Sequence, residues 1–276
     1  MKTRIAITAL CLTTALNTAV AAPDKSAQDG LKGVKPKAEN SQRHQHGGRR
    51  GAKQIRLVGA DGAKITVWKP DLSTIVLGKK HVMHGTITLP RTGVSNYHAI
   101  VAEKDWGDSK EAIVRYEYLR GKPSKNSPTI LSAAQKTEFE IVPDPIPRGH
   151  YHYYSGQEWD FITRFKDKPV PNLPVVFETS NGTRMEAKSD SDGRVSFLLP
   201  VDFPDLVPGK RERLSSDFML SAEYRDGDMT YQSALSAEYQ INRLNWRSVG
   251  WGSAVMIVGM VAGGFIGRSR SKKVAK

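Results

Sequence analysis

The chain reads as an all-β protein: two tandem β-sandwich, immunoglobulin-like domains followed by one C-terminal transmembrane helix. Three features predict this. From about residue 53 to residue 243, short alternating apolar and polar runs are punctuated by Asp61-Gly62, Asn181-Gly182, Asp192-Gly193 and Asp226-Gly227, which is the pattern of strands joined by tight turns. Residues 249–267 are nineteen positions without a charge, and a helix of that length roughly matches the ~30 Å hydrocarbon core of a bilayer. At the other end, Lys2 and Arg4 precede an apolar run over 5–16 and the small residues Ala19-Val20-Ala21, the three parts of a secretory signal.

Taken in order, residues 1–21 form the signal peptide. Cys11, the one cysteine of the chain, lies inside it, so the mature chain is expected to carry neither thiol nor disulfide. That is ordinary for a bacterial envelope protein and unusual for a eukaryotic surface domain. Residues 22–52 are rich in Gly, Lys, Gln, His, Ser and Asn and predict a disordered basic tether, because so few apolar residues cannot offset the entropy of ordering. Within it His44 and His46 form a His-x-His pair that suits a metal ion or an anionic headgroup; a solvated basic linker explains the same residues.

The net charge of +13 suggests a nucleic-acid binder until it is divided along the chain. Residues 23–56 hold nine Lys/Arg against three Asp/Glu, the tail at 268–276 holds five Lys/Arg, and 57–267 balances 25 against 25. Phosphate binding requires a basic groove, so nucleic acid is excluded as a partner. The tail (Arg268, Arg270, Lys272, Lys273, Lys276) outnumbers Arg243 and Arg247 on the other flank. That asymmetry predicts a single-pass protein of the bacterial inner membrane, N-terminus periplasmic and C-terminus cytoplasmic.

The first domain is expected over 53–137, with strands at 54–58 and 64–69 around the hairpin signal Ala60-Asp61-Gly62, then at 82–89, 97–102 and 112–119. In the last of these Val114, Tyr116 and Tyr118 share a face. Pro123, Ser124, Asn126, Ser127 and Pro128 break the pattern. The second domain is expected over 138–243, opening with 138–143. In 158–166 the period-2 rule puts Trp159, Phe161, Thr163 and Phe165 on one side. Further strands are predicted at 174–179, 185–188, 194–199, 218–224, 229–233 and 237–241, eight runs in all, which is about the seven of an immunoglobulin-like sandwich, here without its Cys-Trp-Cys core.

The run Glu138-Phe-Glu-Ile-Val-Pro-Asp-Pro, the pair Ser155-Gly156 leading into Phe161, and Ser189-Asp-Ser-Asp-Gly-Arg-Val-Ser-Phe-Leu-Leu-Pro200 resemble the periplasmic domain of nickel- and cobalt-uptake systems and of many envelope proteins. The resemblance covers about 138–243. It implies an extracytoplasmic immunoglobulin-like module, often tethered by a C-terminal span, with metal delivery among the roles of its relatives. The long basic tether departs from the metal-uptake members, so no ligand residue is carried over.

Judged on their own spacing, His150 and His152 are the candidate metal ligands. On an extended strand they lie on one side, ~6.6 Å apart, from which both imidazoles reach one nickel, cobalt, copper or zinc ion. Packing against Tyr151, Tyr153 and Tyr154 is the alternative. His81 and His84 are three apart and would face opposite ways; His98 becomes a third ligand only if the two domains fold together. Asp190 and Asp192 read as a hairpin turn before a calcium loop, and Asn181-Gly182-Thr183 as a tight turn before a glycosylation acceptor. Tyr151, Tyr153, Tyr154 and Trp159 make either a carbohydrate or peptide platform or a sealed sandwich edge. Gly-x-Ser-x-Gly, a Walker loop and His-Glu-x-x-His are all missing, so the reading is non-enzymatic.

The expected function is a membrane-anchored periplasmic binding or accessory module in transition-metal handling; the alternative is a structural adaptor of an envelope complex. Its partners are the lipid bilayer and a membrane or periplasmic protein. Gly259, Gly263 and Gly267 recur every four residues along the span, which suits a homodimer or docking on a partner's helix; glycine is also simply common in such spans.

Overall fold

Alternating side chains give strands through most of the described residues, which in this computed structural model are 52–246 apart from 58, 84, 149–151, 208, 209 and 212. In chain order they are β1 (Lys53–Arg56), β2 (Lys64–Trp68), β3 (Thr74–Leu77), β4 (Val82–Met83), β5 (Thr86–Leu89), β6 (Val94–Asp105), β7 (Ser109–Leu119) and β8 (Lys122–Pro123). A short helix, α1 (Pro128–Ala133), precedes β9 (Phe139–Pro143), β10 (Tyr153–Tyr154), β11 (Glu158–Phe165), β12 (Lys168–Pro169) and β13 (Pro174–Thr179). The last four are β14 (Arg184–Lys188), β15 (Arg194–Leu198), β16 (Ser215–Asp226) and β17 (Met229–Gln240). The fold is all-β and sandwich-like. The signal, the tether with His44 and His46, His150, and the span with its glycines lie outside the described residues.

A ten-stranded sheet runs β14-β13-β16-β17-β7-β6-β2-β3, with β10 added to β17 and β8 to β6. Its seam is the parallel pair β17–β7, in register from Thr230 opposite Ser109 to Ser236 opposite Arg115. Backbone hydrogen bonding thus carries one sheet across the position, 137/138, where the sequence suggests a domain boundary. Two smaller sheets complete the body: β12-β11-β15 with β9 on β11, and β1-β5-β4.

Period-2 alternation on β6 assigns neighbouring residues to different cores. Tyr97, Ala99 and Val101 join Phe161, Phe177, Phe218 and Tyr239 in one cluster, while Ile100 and Ala102 join Ile55, Ile65, Ile87 and Leu89 in another. The aromatic cluster is the larger. Phe177 and Phe218 stack with centroids 5.2 Å apart, and Tyr153 meets Phe218 edge-on at 5.2 Å. Burying each such ring stabilises the fold by roughly 1.5–3 kcal/mol, and each ring pair adds about 0.5–1.5 kcal/mol.

The expected face of β11 is borne out, with Phe161 and Thr163 buried and Trp159 and Phe165 packed on the cluster. The expected hairpin of β1 with β2 is not. β1 pairs with β5 and β2 with β3 and β6, so Asp61-Gly62 turns the chain from one sheet to another. The run predicted as one strand over 82–89 is interrupted at Gly85, whose N–H is taken by Asp61 Oδ1 at 3.0 Å. The two strands predicted at 229–233 and 237–241 are one, because Ala234-Leu235-Ser236 remains paired on both sides.

α1 illustrates how the loops are held. Ser127 Oγ accepts the Thr129 N–H at 3.3 Å and Pro128 opens the helix, which suits both residue types. At its far end the carbonyls of Ser132, Ala133 and Ala134 accept from the Arg164 guanidinium. Fully buried Lys136 donates to Leu131 O and faces Glu140 at 3.3 Å.

Candidate functional site

Strand direction divides the body into two ends. β17 and β7 run in parallel from Met229 and Ser109, so their first residues, the β6–β7 turn and the β16–β17 turn share one end. Lys166 joins them there through Asp226 at 3.4 Å. The other end collects the β17 terminus, Leu119, β10, Leu199 and Leu214.

A cleft of about 300 Å³ opens at the first end, walled by residues from both sides of the seam. β2 supplies Lys64, β6 Glu103, β7 Lys110, the approach to β9 Glu138, β9 itself Phe139, and β17 Tyr231. Pleating sets opposite charges across from one another: Lys64 against Glu103, Lys104 against Glu111, Asp105 against Lys110. Such pairs favour this register.

Glu138 is the centre of the cleft. Lys110 Nζ pairs with its Oε1, Tyr231 Oη donates to its Oε2 at 3.1 Å, and Lys110 Nζ lies 5.8 Å from the Tyr231 ring centroid. The hydrogen bond from Lys110 holds the Glu138 carboxyl below its ordinary pKa against a modest burial effect, with Tyr231 assisting. Glu103 is moved the other way. Burial raises it, Lys64 and Lys110 oppose the rise, and Glu138 adds to it. Beside the cleft, at the turn that follows β6, Trp106 is 61% exposed with Lys104 Nζ 5.9 Å from its ring.

Alternating charge over an aromatic floor suits a polypeptide, whose own charges and amides can be matched pair by pair. Sequence reasoning did not assemble this site. Lys110, Glu138 and Tyr231 are 28 and 93 residues apart, and the one local signal is a tryptophan set against Gly107 and Asp108 in a turn.

Of the predicted ligands, His152 is exposed, with its ring edge-on to Tyr154 at 6.3 Å. His98 is fully buried in β6, its Nδ1–H donating to Asn96 O at 3.0 Å. Among the described residues no three His, Cys, Asp or Glu side chains converge. His81 sits in a 3-10 turn (Lys79–His81) instead of a strand. The aromatic run separates in the same way: Tyr153 is core, 4.7 Å from the Trp159 ring, whereas Trp159 also lines an open recess of about 430 Å³ with Asp144, Gln157, Glu158 and Asp160. Asp190 is a turn residue, its Oδ1 accepting from the N–H groups of Asp192 and Arg194. Gly182 takes a φ of +99°, as a tight turn requires.

Neither a family model nor a curated protein matches the chain. A solved structure described as a Ca2+-stabilised adhesin that helps an Antarctic bacterium reach out and bind ice is similar at 11% identity, with a TM-score of 0.26. The match covers 66% of this chain and 40% of that one, so this chain spans less than half of the adhesin, and a likeness at this level does not bear on function.

Proposed function

We propose that this protein is a non-enzymatic, membrane-anchored adaptor of the bacterial envelope, which presents the cleft around Glu138 to a polypeptide partner. The body is read as two immunoglobulin-like sandwiches sharing a sheet, held in the periplasm by the uncharged stretch at 249–267. The direction of β17 carries the proposal. The strand starts beside the cleft at Met229 and ends at Gln240, only eight residues before that stretch. At ~3.3 Å per residue β17 sets Tyr231 of the cleft about 30 Å along the strand from the point where the chain leaves for the bilayer. A site held away from the membrane is placed for a soluble or envelope partner, and an exposed tryptophan beside matched charges is the composition of an interface hot spot.

In-cell photo-crosslinking tests this. A photoreactive residue at position 106 is expected to trap one defined partner, and Lys110→Glu is expected to abolish the adduct while the protein still accumulates in the membrane. A crosslink that survives both Lys110→Glu and Glu138→Lys would show that the partner does not read the Lys110–Glu138 pair and would overturn the cleft as its site. The transition-metal reading of His150 and His152 is kept as a separate proposal, tested below.

A further inference from the structure

We propose a second interaction surface: the end of the body from which β17 leaves is a docking face for anionic phospholipid headgroups. The inference rests on the anchored reading above, but its observations are those of the folded surface. The chain leaves Gln240 through Ile241 and Asn242 into a 3-10 turn (Arg243–Trp246). With ~2.0 Å rise in that turn and ~3.4 Å elsewhere, the eight residues to 249 reach no more than about 22 Å. This end is therefore held within about 22 Å of the expected headgroup layer.

Its composition fits that position. Leu198, Val201, Val207 and Leu244 are 60, 48, 51 and 61% exposed; the pairing of Leu198 with Glu158, the contact of Val201 with Gly156 and the turn after β17 put Leu198, Val201 and Leu244 at this end, and Val207 follows Phe203, whose ring meets Tyr239 there. Exposed Arg91, Arg120, Lys122 and Lys125 lie at the same end, beside the start of β6 and the end of β7, and exposed Arg148 and Arg211 lie on the connections that lead into β10 and β16. Lys122 N–H bonds Gly93 O at 2.8 Å and Lys122 pairs with Val94, which fixes the 120–125 turn beside the start of β6. Exposed carboxylates are present as well, in Asp71, Glu158, Asp205 and Asp217, but cations outnumber them.

The opposite end is mixed: Asp105, Asp108, Asp167, Asp226 and Asp228 are exposed at its turns beside exposed Lys166, Lys168 and Arg225. The excess of cations is thus confined to the end that faces the expected bilayer. Apolar side chains amid Lys and Arg are the composition by which proteins rest on anionic lipid. β1 also begins at this end, with Lys53 paired to Glu117 at 2.5 Å, so the basic segment 23–52 joins the body on the same side.

The test uses the full chain in a Cys11→Ser background, with an environment-sensitive fluorophore on Val201→Cys or Asp108→Cys. The protein is reconstituted into bilayers of phosphatidylethanolamine with phosphatidylglycerol, or of phosphatidylcholine alone, doped with headgroup spin-labelled lipid. With phosphatidylglycerol, quenching at 201 is expected to exceed that at 108 by about threefold, and high salt or the triple change Arg91→Glu, Lys122→Glu, Arg211→Glu is expected to remove most of the excess. Circular dichroism of the triple variant verifies its fold. Equal quenching at the two positions in a chain that resists alkaline extraction would overturn the docking face and leave the anchor standing. Excess quenching at 201 that is the same in phosphatidylcholine and indifferent to charge reversal would overturn the anionic-lipid assignment. A chain released by alkaline extraction would overturn the anchor itself.

Discussion

Arg115 on β7 reaches Asp217 on β16 across the whole width of β17, Nη1 to Oδ1 at 3.0 Å. On the way the same nitrogen donates to Ser236 at 3.2 Å, and its Nε donates to Glu117 at 2.7 Å. One guanidinium therefore ties three strands from both halves of the chain. Burial disfavours its charge, yet Glu117 and Asp217 outweigh burial and raise its pKa.

Removing Arg115 leaves Glu117 largely buried with only Lys53 to balance it. Arg115→Ala is expected to destabilise the body by about 3–5 kcal/mol. Arg115→Met, which restores the volume, recovers only part of that loss because the Glu117 charge is still stranded. Urea unfolding of the two variants checks the order; a loss below about 1 kcal/mol for Arg115→Ala would mean that the seam does not depend on this pair.

Acid should weaken the fold in two stages. Burial lowers the pKa of His98 from its ordinary 6.5, against the opposing bond to Asn96 O. Below 6.5 the unfolded chain takes up a proton that the folded chain resists, so stability falls as pH drops from about 6.5 toward the folded value. For Glu117, burial pushes the carboxyl up but Arg115 and Lys53 pull it below its ordinary 4.5. Its contribution is complete above 4.5 and is lost as pH falls through the lower folded value. Denaturation midpoints across pH should show both stages in the native chain and only the lower one in His98→Gln.

At Gly121 a Cβ would lie 2.4 Å from the Gly93 carbonyl carbon and 2.5 Å from its oxygen. Gly121→Ala is therefore expected to cost on the order of 2 kcal/mol or more, since backbone has to move. Gly93 has φ of +75° but open space for a Cβ, so Gly93→Ala is expected to cost only about 1–2 kcal/mol of backbone strain. Thermal melts that rank the two the other way would contradict the close packing of the 91–94 and 119–122 turns.

Which residues face inward was legible in the sequence; which strands pair was not. Phe161, Thr163 and Phe165 declare their side by period-2 alternation alone. Nothing local says that Ser109 lies opposite Thr230, because a parallel pair is joined by no turn and its partners are 121 residues apart. Turn pairs misled for the same reason: Asp61-Gly62 fixes a bend and leaves open whether the strands on either side share a sheet. The cleft inherits this difficulty, since Lys110 and Glu138 meet only after β9 and β7 have both been placed against β17.

The metal proposal has its own test. His152→Ala is expected to leave the melting temperature unchanged, since the ring is exposed. Calorimetry with nickel, cobalt, copper and zinc on the native chain and on His150→Ala/His152→Ala decides the ligand role: two imidazoles alone give weak, unselective binding, and a loss of about tenfold or more in the double variant would establish them as ligands.

Everything proposed for the cleft requires β7 and β17 to belong to one cooperative sheet. Hydrogen exchange under increasing denaturant, followed by mass spectrometry on peptides from 109–119 and 229–240, measures this directly. Both segments are expected to be strongly protected and to lose protection at the same denaturant concentration. If 109–119 opened at a lower concentration while 229–240 stayed protected, the halves would be separate folding units and the shared sheet would be contradicted.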